Sequence, residues 1–260
     1  MPLTAAIVIP ARYQSMRFPG KPLVMLNGRT LIERVYDLAR QVPDVAGVYV
    51  ATDDDRIKAH VAGFGGQVLM TPESCQNGTE RVAAAALMLP DTINAFVNWQ
   101  GDSPLTPIDY PKTLLTHLSA SKAAELVTPV IRCDRDMLLH LRAERGAGQV
   151  GGVTVVSDVN NRALHFSREV IPWSDALVNA PDPLPVFYHV GMYAYRRDVL
   201  LQYPSWTVGP IERTENLEQL RFVENGRVVE ALEMQGAGHW EVNKPEDVPL
   251  VERLLKEHGL

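Results

Sequence analysis

An unbroken apolar run, Ala5-Ala6-Ile7-Val8-Ile9, gives way at once to Pro10 and a polar, glycine-containing loop. Alternation would mark a strand with one face in water. A continuous run marks a strand buried on both faces, as in a parallel sheet covered by helices. The following segments keep that rhythm. Thr30 stands where it can N-cap a helix with apolar residues at Leu31, Val35, Leu38 and Ala39. Val45 to Ala51 reads as a second strand ending in Thr52-Asp53. A short helix after Asp54 stops at Gly63 and Gly65-Gly66, and a brief strand spans Gln67 to Met70. Another helix begins near Thr79, and the strand Ile93 to Trp99 runs into Gln100-Gly101-Asp102. Strands alternating with helices at these lengths predict βαβ units with right-handed crossovers, an α/β fold around a doubly wound, mostly parallel sheet.

The second half changes character. Val153–Val156 and Arg162–Phe166 read as a hairpin closed by the turn Asp158–Asn161. The proline-rich loop Ala180–Pro185 leads into an extended segment, Phe187–Tyr195, and helical patterns return around Glu215–Glu224 and Pro245–His258. Neither an internal repeat nor a low-complexity linker divides the 260 residues, a length that fits one α/β unit. The expected organisation is a single domain over residues 1–260, with an inserted subdomain at approximately 150–200 that serves as a substrate lid or dimer arm.

Charge and cysteine usage bound the function. Twenty-five basic residues against 31 acidic ones leave a net charge of −6, which argues against broad binding to nucleic acid or to an anionic membrane. No run approaches the roughly 18 apolar residues needed to span a bilayer, and the N-terminal stretch lacks the charged region of a secretion signal. Cys75 and Cys133 have neither metal nor redox spacing, so they read as ordinary thiols in a reducing compartment. The expectation is a soluble, cytoplasmic protein.

Two segments carry chemistry. The loop after the first strand holds Arg12, Arg17 and Lys21 within ten residues, with Gly20 between flanking prolines. In open α/β sheets ligands bind beyond the carboxyl ends of the strands, and cations there suit phosphate oxygens. The loop is neither a Walker A sequence nor a Gly-x-Gly-x-x-Gly fingerprint, which removes the main support for a P-loop kinase or a dinucleotide dehydrogenase. The second segment, Asn98-Trp99-Gln100-Gly101-Asp102-Ser103-Pro104, sets a carboxylate at the end of a buried strand, where it can be a turn former or reach a divalent ion.

Together these pieces resemble the 3-deoxy-manno-octulosonate cytidylyltransferase (CMP-Kdo synthetase) family of sugar-acid cytidylyltransferases. The resemblance rests on Pro10-Ala11-Arg12-Tyr13 through Lys21-Pro22-Leu23, Val50-Ala51-Thr52-Asp53, Asn77-Gly78-Thr79-Glu80-Arg81 and Gln100-Gly101-Asp102. It continues, in order, through Phe166-Ser167-Arg168, Ile171-Pro172-Trp173, Tyr188 to Tyr193, Leu217 to Arg221 and Pro245-Glu246-Asp247, covering nearly the whole chain. It implies a nucleotide-diphospho-sugar-transferase-like fold and transfer of CMP from CTP to a 3-deoxy-2-ulosonic acid, with release of pyrophosphate. It further implies Mg²⁺ as cofactor and a homodimer formed through the second-half insertion.

Carried over residue by residue, the resemblance gives Arg12, Lys21 and Asp102 the catalytic roles. Pro10, Ala11, Arg12, Arg17, Lys21, Asn77, Gly78 and Arg81 would hold the nucleotide. Gln100, Arg168, His189, Tyr193, Glu218 and Gln219 would meet the acceptor, and Asp102 with Asn243 would bind the metal. On local pattern alone, His189 and Tyr193 also fit a packed core, and Glu218-Gln219 an exposed helix face. Four residues depart from the family pattern: Asn243 in place of an Asp, Ser103 of a Glu, Thr154 of a Lys and Met16 of a Thr. The first two each remove a negative charge near the expected metal. The readings left open are an active enzyme for Kdo, one for another acid such as an 8-amino-Kdo analogue, and an impaired nucleotide-binding homologue.

Overall fold

The computed structural model describes residues 2–15, 18–149, 151–173, 175–235 and 240–260. In chain order these form β1 (Ala5–Pro10), the short hairpin β2 (Met25–Leu26) and β3 (Arg29–Thr30), α1 (Leu31–Ala39), β4 (Val45–Thr52), α2 (Asp55–Gly63) and β5 (Gln67–Met70). Next come α3 (Gly78–Ala86), β6 (Ala95–Trp99), α4 (Asp109–Ala120), β7 (Leu126–Arg132), α5 (Arg135–Gly146), β8 (Thr154–Ser157) and β9 (Ala163–Ser167). The remainder are β10 (Phe187–His189), β11 (Met192–Arg196), α6 (Arg197–Gln202), α7 (Pro210–Glu215), α8 (Leu220–Glu224), β12 (Val229–Glu233) and α9 (Val248–Glu257).

The main sheet has the path β5-β4-β1-β6-β11-β7-β10-β8-β9, with β12 paired to β7. Strands β1, β4, β5, β6, β7, β8 and β12 run one way and β9, β10 and β11 the other. The mostly parallel, doubly wound sheet expected from the first half is therefore present. Strand β1 is buried along both faces. Ala5, Ile7 and Ile9 enter the apolar layer under α1, α4 and α9, while Ala6 and Val8 enter the layer under α3, α6 and α8. A smaller cluster joins α5 to Leu177, Leu184 and Val186.

Local sequence explains the helix starts. Thr30 accepts from the Glu33 amide, Asp54 from the Arg56 and Ile57 amides, and Asn77 from the Glu80 amide. The expected hairpin is β8–β9, shifted by one residue. Asp158 Oδ1 closes its turn by accepting from the Asn160 and Arg162 amides, while Asn161 takes the left-handed conformation. Residues 154–196 supply β8 to β11 of the same continuous sheet.

One expectation fails locally. The helix read around Glu215–Glu224 is interrupted: α7 ends at Glu215, Asn216 is left-handed at φ 52°, and α8 starts only at Leu220. Residues 217–219 form the turn between them, because a left-handed residue ends one helix and reorients the chain before the next.

The extended segment Phe187–Tyr195 is likewise split. Val130 pairs with both His189 and Glu233, and Val127 with both Ala194 and Glu230. Strands β10 and β11 thus lie on the same side of β7, opposite β12, as one strand broken at Val190-Gly191. Met192 pairs with Trp99, so Gln100, the residue after β6, faces that break.

Candidate active site

The site grows from the carboxyl ends of β1 and β6 and from the start of α3. Ala11 leaves β1 with its amide bonded to the Ala51 carbonyl at 2.9 Å. A Cβ on Gly101 would stand 3.0 Å from the Pro10 carbonyl oxygen, so glycine there lets the ends of β1 and β6 come together. Gly20, left-handed at φ 74°, lies against the Tyr13 ring, and Arg56 stacks over that ring 3.3 Å from its centroid. This turn delivers Lys21, whose Nζ donates to Asp102 Oδ2 at 2.6 Å in a half-buried ion pair. The other carboxylate oxygen of Asp102 accepts from Ser103 Oγ at 3.3 Å. Arg12 is exposed, its guanidinium donating to the Gln76 carbonyl at 3.0 Å. Arg17 and Met16 lie outside the described residues.

Other nucleotide-side residues have internal partners. Asn77 caps α3 and also donates from Nδ2 to Tyr203 Oη at 3.1 Å. Arg81 is fully buried, donating to Asp53 Oδ2 at 2.6 Å and Thr71 Oγ1 at 2.7 Å. It ties α3 to the end of β4 and to the residue after β5. Pattern reading did not single out Asp53 and Thr71 as its partners, although Thr52-Asp53 at a strand end was visible.

The acceptor side is built from residues far apart in sequence. A Cβ on Gly78 would meet Asn98 Nδ2 at 3.3 Å, Gln100 Nε2 at 3.4 Å and Glu218 Oε1 at 3.4 Å, so three polar side chains close around that glycine. Glu218 Oε2 accepts from the Thr79 amide at 2.8 Å, and burial pushes its carboxyl above the usual carboxylate range. Glu218 and Gln219 occupy the turn before α8 instead of an exposed helix face, and Gln219 is buried. Tyr193 Oη donates to Gln219 Oε1 at 3.1 Å, and desolvation raises the phenol well above its ordinary pKa. Gln219 Nε2 and Asn98 Oδ1 are buried with no hydrogen-bond partner among the described residues, an exception that calls for a ligand group or water.

His189 is buried beside them. The Thr128 hydroxyl donates to the Met192 carbonyl at 2.8 Å, so it accepts from His189 Nε2 at 2.9 Å. The imidazole also packs edge-on to Phe166 and against Tyr193, with centroids 4.9 and 5.6 Å apart. Arg168 is anchored differently: its guanidinium donates to the carbonyls of Glu215 and Asn216, bracing the turn that carries Glu218. Thr154, where the resemblance expects a Lys, is buried; its hydroxyl donates to the Glu169 carbonyl and accepts from the Ile171 amide.

The segment 241–243 completes the far side. The Val242 amide donates to the Asp102 carbonyl at 2.9 Å, the Asn243 amide to Asp247 Oδ2 at 2.8 Å, and Asn243 Nδ2 to Glu241 Oε2 at 3.0 Å. Among the described residues no group of three or more His, Cys, Asp or Glu side chains could hold a metal by itself. The oxygens of Asp102 and Asn243 nevertheless suit Mg²⁺, which commonly takes one or two protein oxygens and completes its shell from phosphates and water. Asp102 already faces a cation, Lys21 Nζ. Glu241 and Asn98 are the site residues that sequence reading missed. Asn98 opens the segment that runs into Gln100-Gly101-Asp102 but is given no role there, whereas Glu241 stands in no motif and only the fold brings it to Gln100.

Both cysteines are buried free thiols, and burial pushes the Cys133 thiol up to about 12. No helix among the described residues is long and apolar enough to cross a membrane.

Comparisons with known proteins point one way. Residues 6–233 match the family described as cytidylyltransferase. A 3-deoxy-manno-octulosonate cytidylyltransferase of Maricaulis maris (strain MCS10) is 40% identical over 260 residues, covering 99% of each chain. A protein of the same name from Chlamydia pneumoniae is 39% identical over 249 residues, covering 95% of this chain and 92% of that one. A solved structure of CMP:2-keto-3-deoxy-manno-octonic acid synthetase complexed with CTP superposes with a TM-score of 0.86 at 34% identity, over 98% of this chain and 99% of that one. A 4-diphosphocytidyl-2C-methyl-D-erythritol synthase from Anaerococcus prevotii shares the fold alone, with a TM-score of 0.63 at 11% identity over 98% of this chain and 96% of that one.

Proposed function

The chain belongs to the cytidylyltransferase family, and from that premise we propose that it transfers CMP from CTP to 3-deoxy-manno-octulosonate, releasing pyrophosphate. The observation that carries this reading is the meeting, at one end of the sheet, of the Lys21–Asp102 pair with the polar cluster around Gly78. The near full-length relatives of that name support the choice of nucleotide and acid.

The reaction needs little covalent chemistry from the protein. The anomeric hydroxyl oxygen of the acid attacks the α-phosphorus, forming an O–P bond and giving up its proton to solvent. The α–β phosphoanhydride bond breaks, and pyrophosphate leaves with the bonding pair. Lys21, Arg12 and Arg17 hold the triphosphate, and Gln100, Tyr193, Gln219 and Glu218 orient the acid, so catalysis comes from positioning and fixed charge. Mg²⁺ held by Asp102 and Asn243 would supply further neutralisation of phosphate charge. Lys21 and Asp102 neutralise each other; with triphosphate bound, Lys21 would pair with phosphate oxygens, and Asp102 would be left to hold Mg²⁺.

Pyrophosphate release with CTP, Mg²⁺ and Kdo tests the reading, with an 8-amino-Kdo analogue, other nucleoside triphosphates and a no-acid reaction as controls. Release with CTP and Kdo is expected. Release only with another acid would reassign the acceptor. Silence with every acid despite CTP binding would leave a nucleotide-binding homologue.

The same reading makes the protein a cytoplasmic homodimer. Exposed Val159, Leu164 and Trp173 on and beside the β8–β9 hairpin support a contact there. Light scattering that finds only monomer would remove it.

A further inference from the structure

Tyr203 stands in none of the motifs that carry the family resemblance, yet it lies where the two sides of the site touch. It opens the turn Tyr203–Ser205 after α6 and is fully buried. Its ring stacks on Phe222 with centroids 5.1 Å apart and meets Trp206 edge-on, and the Arg221 guanidinium lies over it 4.3 Å from the centroid. A hydroxyl in such surroundings is costly unless it is bonded, and this one is bonded twice. It donates to the Glu218 carbonyl at 3.0 Å and accepts from Asn77 Nδ2 at 3.1 Å. Burial, and then the nearby Glu218 carboxyl, push the phenol above its ordinary pKa, so it stays a donor.

Both partners are themselves fixed. Asn77 Oδ1 accepts from the Glu80 amide at 2.8 Å, which leaves Nδ2 to point at Tyr203. Glu218 Oε2 accepts from the Thr79 amide, so the turn that carries the acceptor pair meets the start of α3 through backbone and side chain alike. Arg221 adds a second crossing, donating to Glu212 Oε1 at 2.7 Å and to Glu80 Oε1 at 2.9 Å. Glu80 Oε2 accepts from the Gln76 amide at 2.8 Å, and the Gln76 carbonyl from Arg12 at 3.0 Å. The bonds thus run from the acceptor turn to a residue placed on the triphosphate, and Tyr203 Oη joins Asn77 to Glu218 within them.

We propose that Tyr203 is a positioning residue for cytidylyl transfer: its hydroxyl sets the acceptor turn against the nucleotide loop, so that the attacking oxygen of the acid meets the α-phosphorus at reacting distance. The proposal rests on the cytidylyl-transfer reading. Tyr203 acts through Glu218 and Asn77 and not by contact with a substrate. Two reactants carried on different elements must be aligned closely, since a displacement of about 1 Å can lower the rate about 10²-fold. One hydroxyl bonded to both elements, on a ring already held by Phe222, Trp206 and Arg221, supplies that constraint.

Tyr203→Phe keeps the ring and deletes only Oη. In pyrophosphate release with CTP, Mg²⁺ and Kdo, kcat is expected to fall about tenfold while KM for CTP and for Kdo each stay within about twofold. Trp206→Leu is the comparison: it loosens packing on the same ring but leaves both bonds of Oη in place, so it should lower the melting temperature at least as much and keep kcat. Unchanged kcat in Tyr203→Phe overturns the proposal. So does an equal loss of kcat in Trp206→Leu, or a rise in one KM alone, which would assign Tyr203 to that side only. Hydrogen exchange of the unliganded full-length chain, read by mass spectrometry, needs no turnover. Peptides covering Thr79 to Arg81 and Leu220 to Phe222 should both exchange about fivefold faster in Tyr203→Phe. Faster exchange on one side only, or on neither, overturns the bridge. If the parent chain releases no pyrophosphate with any acid, the cytidylyl-transfer reading fails and takes the positioning role with it, whereas faster exchange on both sides would still uphold Tyr203 as the join between them.

Discussion

The two sides of the site are built on opposite principles. On the nucleotide side, Arg81, Asn77 and Lys21 come from short contiguous motifs and are engaged with protein groups, Arg81 with Asp53 and Thr71, Asn77 with Glu80 and Tyr203, Lys21 with Asp102. On the acceptor side, Asn98, Gln100, Tyr193, Glu218 and Gln219 come from three distant parts of the chain and are under-satisfied, with two buried polar atoms lacking partners and a carboxyl held above its normal range. A side that is locally encoded and internally paired holds its shape without ligand. A side assembled by the fold, with desolvated unpaired groups, is arranged for something that arrives.

The sharpest way to break this comparison is at the join. Lys21→Ala removes the cation facing the triphosphate and leaves Asp102 without its partner. We expect kcat/KM for CTP in pyrophosphate release to fall about 10²- to 10³-fold, with the unfolding transition little changed because the pair is only half-buried. Normal CTP kinetics would detach the loop from the chemistry. Arg81 should fail differently. Removing a buried guanidinium strands Asp53, so Arg81→Ala should cost about 3 kcal/mol in urea unfolding. Full stability with lost CTP affinity would instead place Arg81 on the nucleotide and erase the distinction drawn above.

The same contrast explains what the sequence could and could not reveal. Strands β1, β4 and β6, the caps Thr30 and Asp54, and the β8–β9 hairpin are legible because their signals are local. Strand β7 is not, since Pro129 interrupts a pattern that should be central. In the fold Pro129 falls between Val127, paired with β11, and Val130, paired with β10, where β7 exchanges partners. The site divides likewise. The family motifs carry Arg12, Lys21 and Asp102, but the local pattern puts Glu218-Gln219 on a helix, whereas Asn216 ends α7 and leaves them in the turn before α8. Glu241 has no motif at all; its position follows from the Val242–Asp102 contact, which is 140 residues long in sequence and invisible to spacing rules.

A pH experiment sharpens the acceptor side. Burial raises the Glu218 carboxyl above its unfolded value, so between the two values the folded chain holds a proton that the unfolded chain has lost. Its contribution to stability is then highest in acid, falls as pH rises through that window, and stays lower above it. Glu218→Gln removes the penalty while leaving an oxygen for the Thr79 amide. The variant should melt higher than the parent at pH 8, of the order of 2 °C, with the advantage gone once both carboxyls are protonated. Turnover with the acid should drop. Parallel melting curves at every pH would mean that Glu218 is solvated and the site less desolvated than the structure shows.

The smallest effect belongs to the nucleotide side, and its size is the point. Tyr13 contacts Gly20 and lies under Arg56, whose guanidinium is exposed and also paired with Asp54. An exposed cation–π contact contributes about 0.5–1 kcal/mol, and Asp54 keeps its capping bonds to the Arg56 and Ile57 amides whatever side chain residue 56 carries. Arg56→Ala should therefore raise KM for CTP about threefold and leave kcat unchanged, because the loop is steadied by this contact and closed by others, including the Gly20 amide on the Tyr13 carbonyl at 2.8 Å. A large fall in kcat would show that Arg56 reaches the phosphates themselves. The nucleotide side would then share the unfinished character of the acceptor side, waiting on its ligand to be complete.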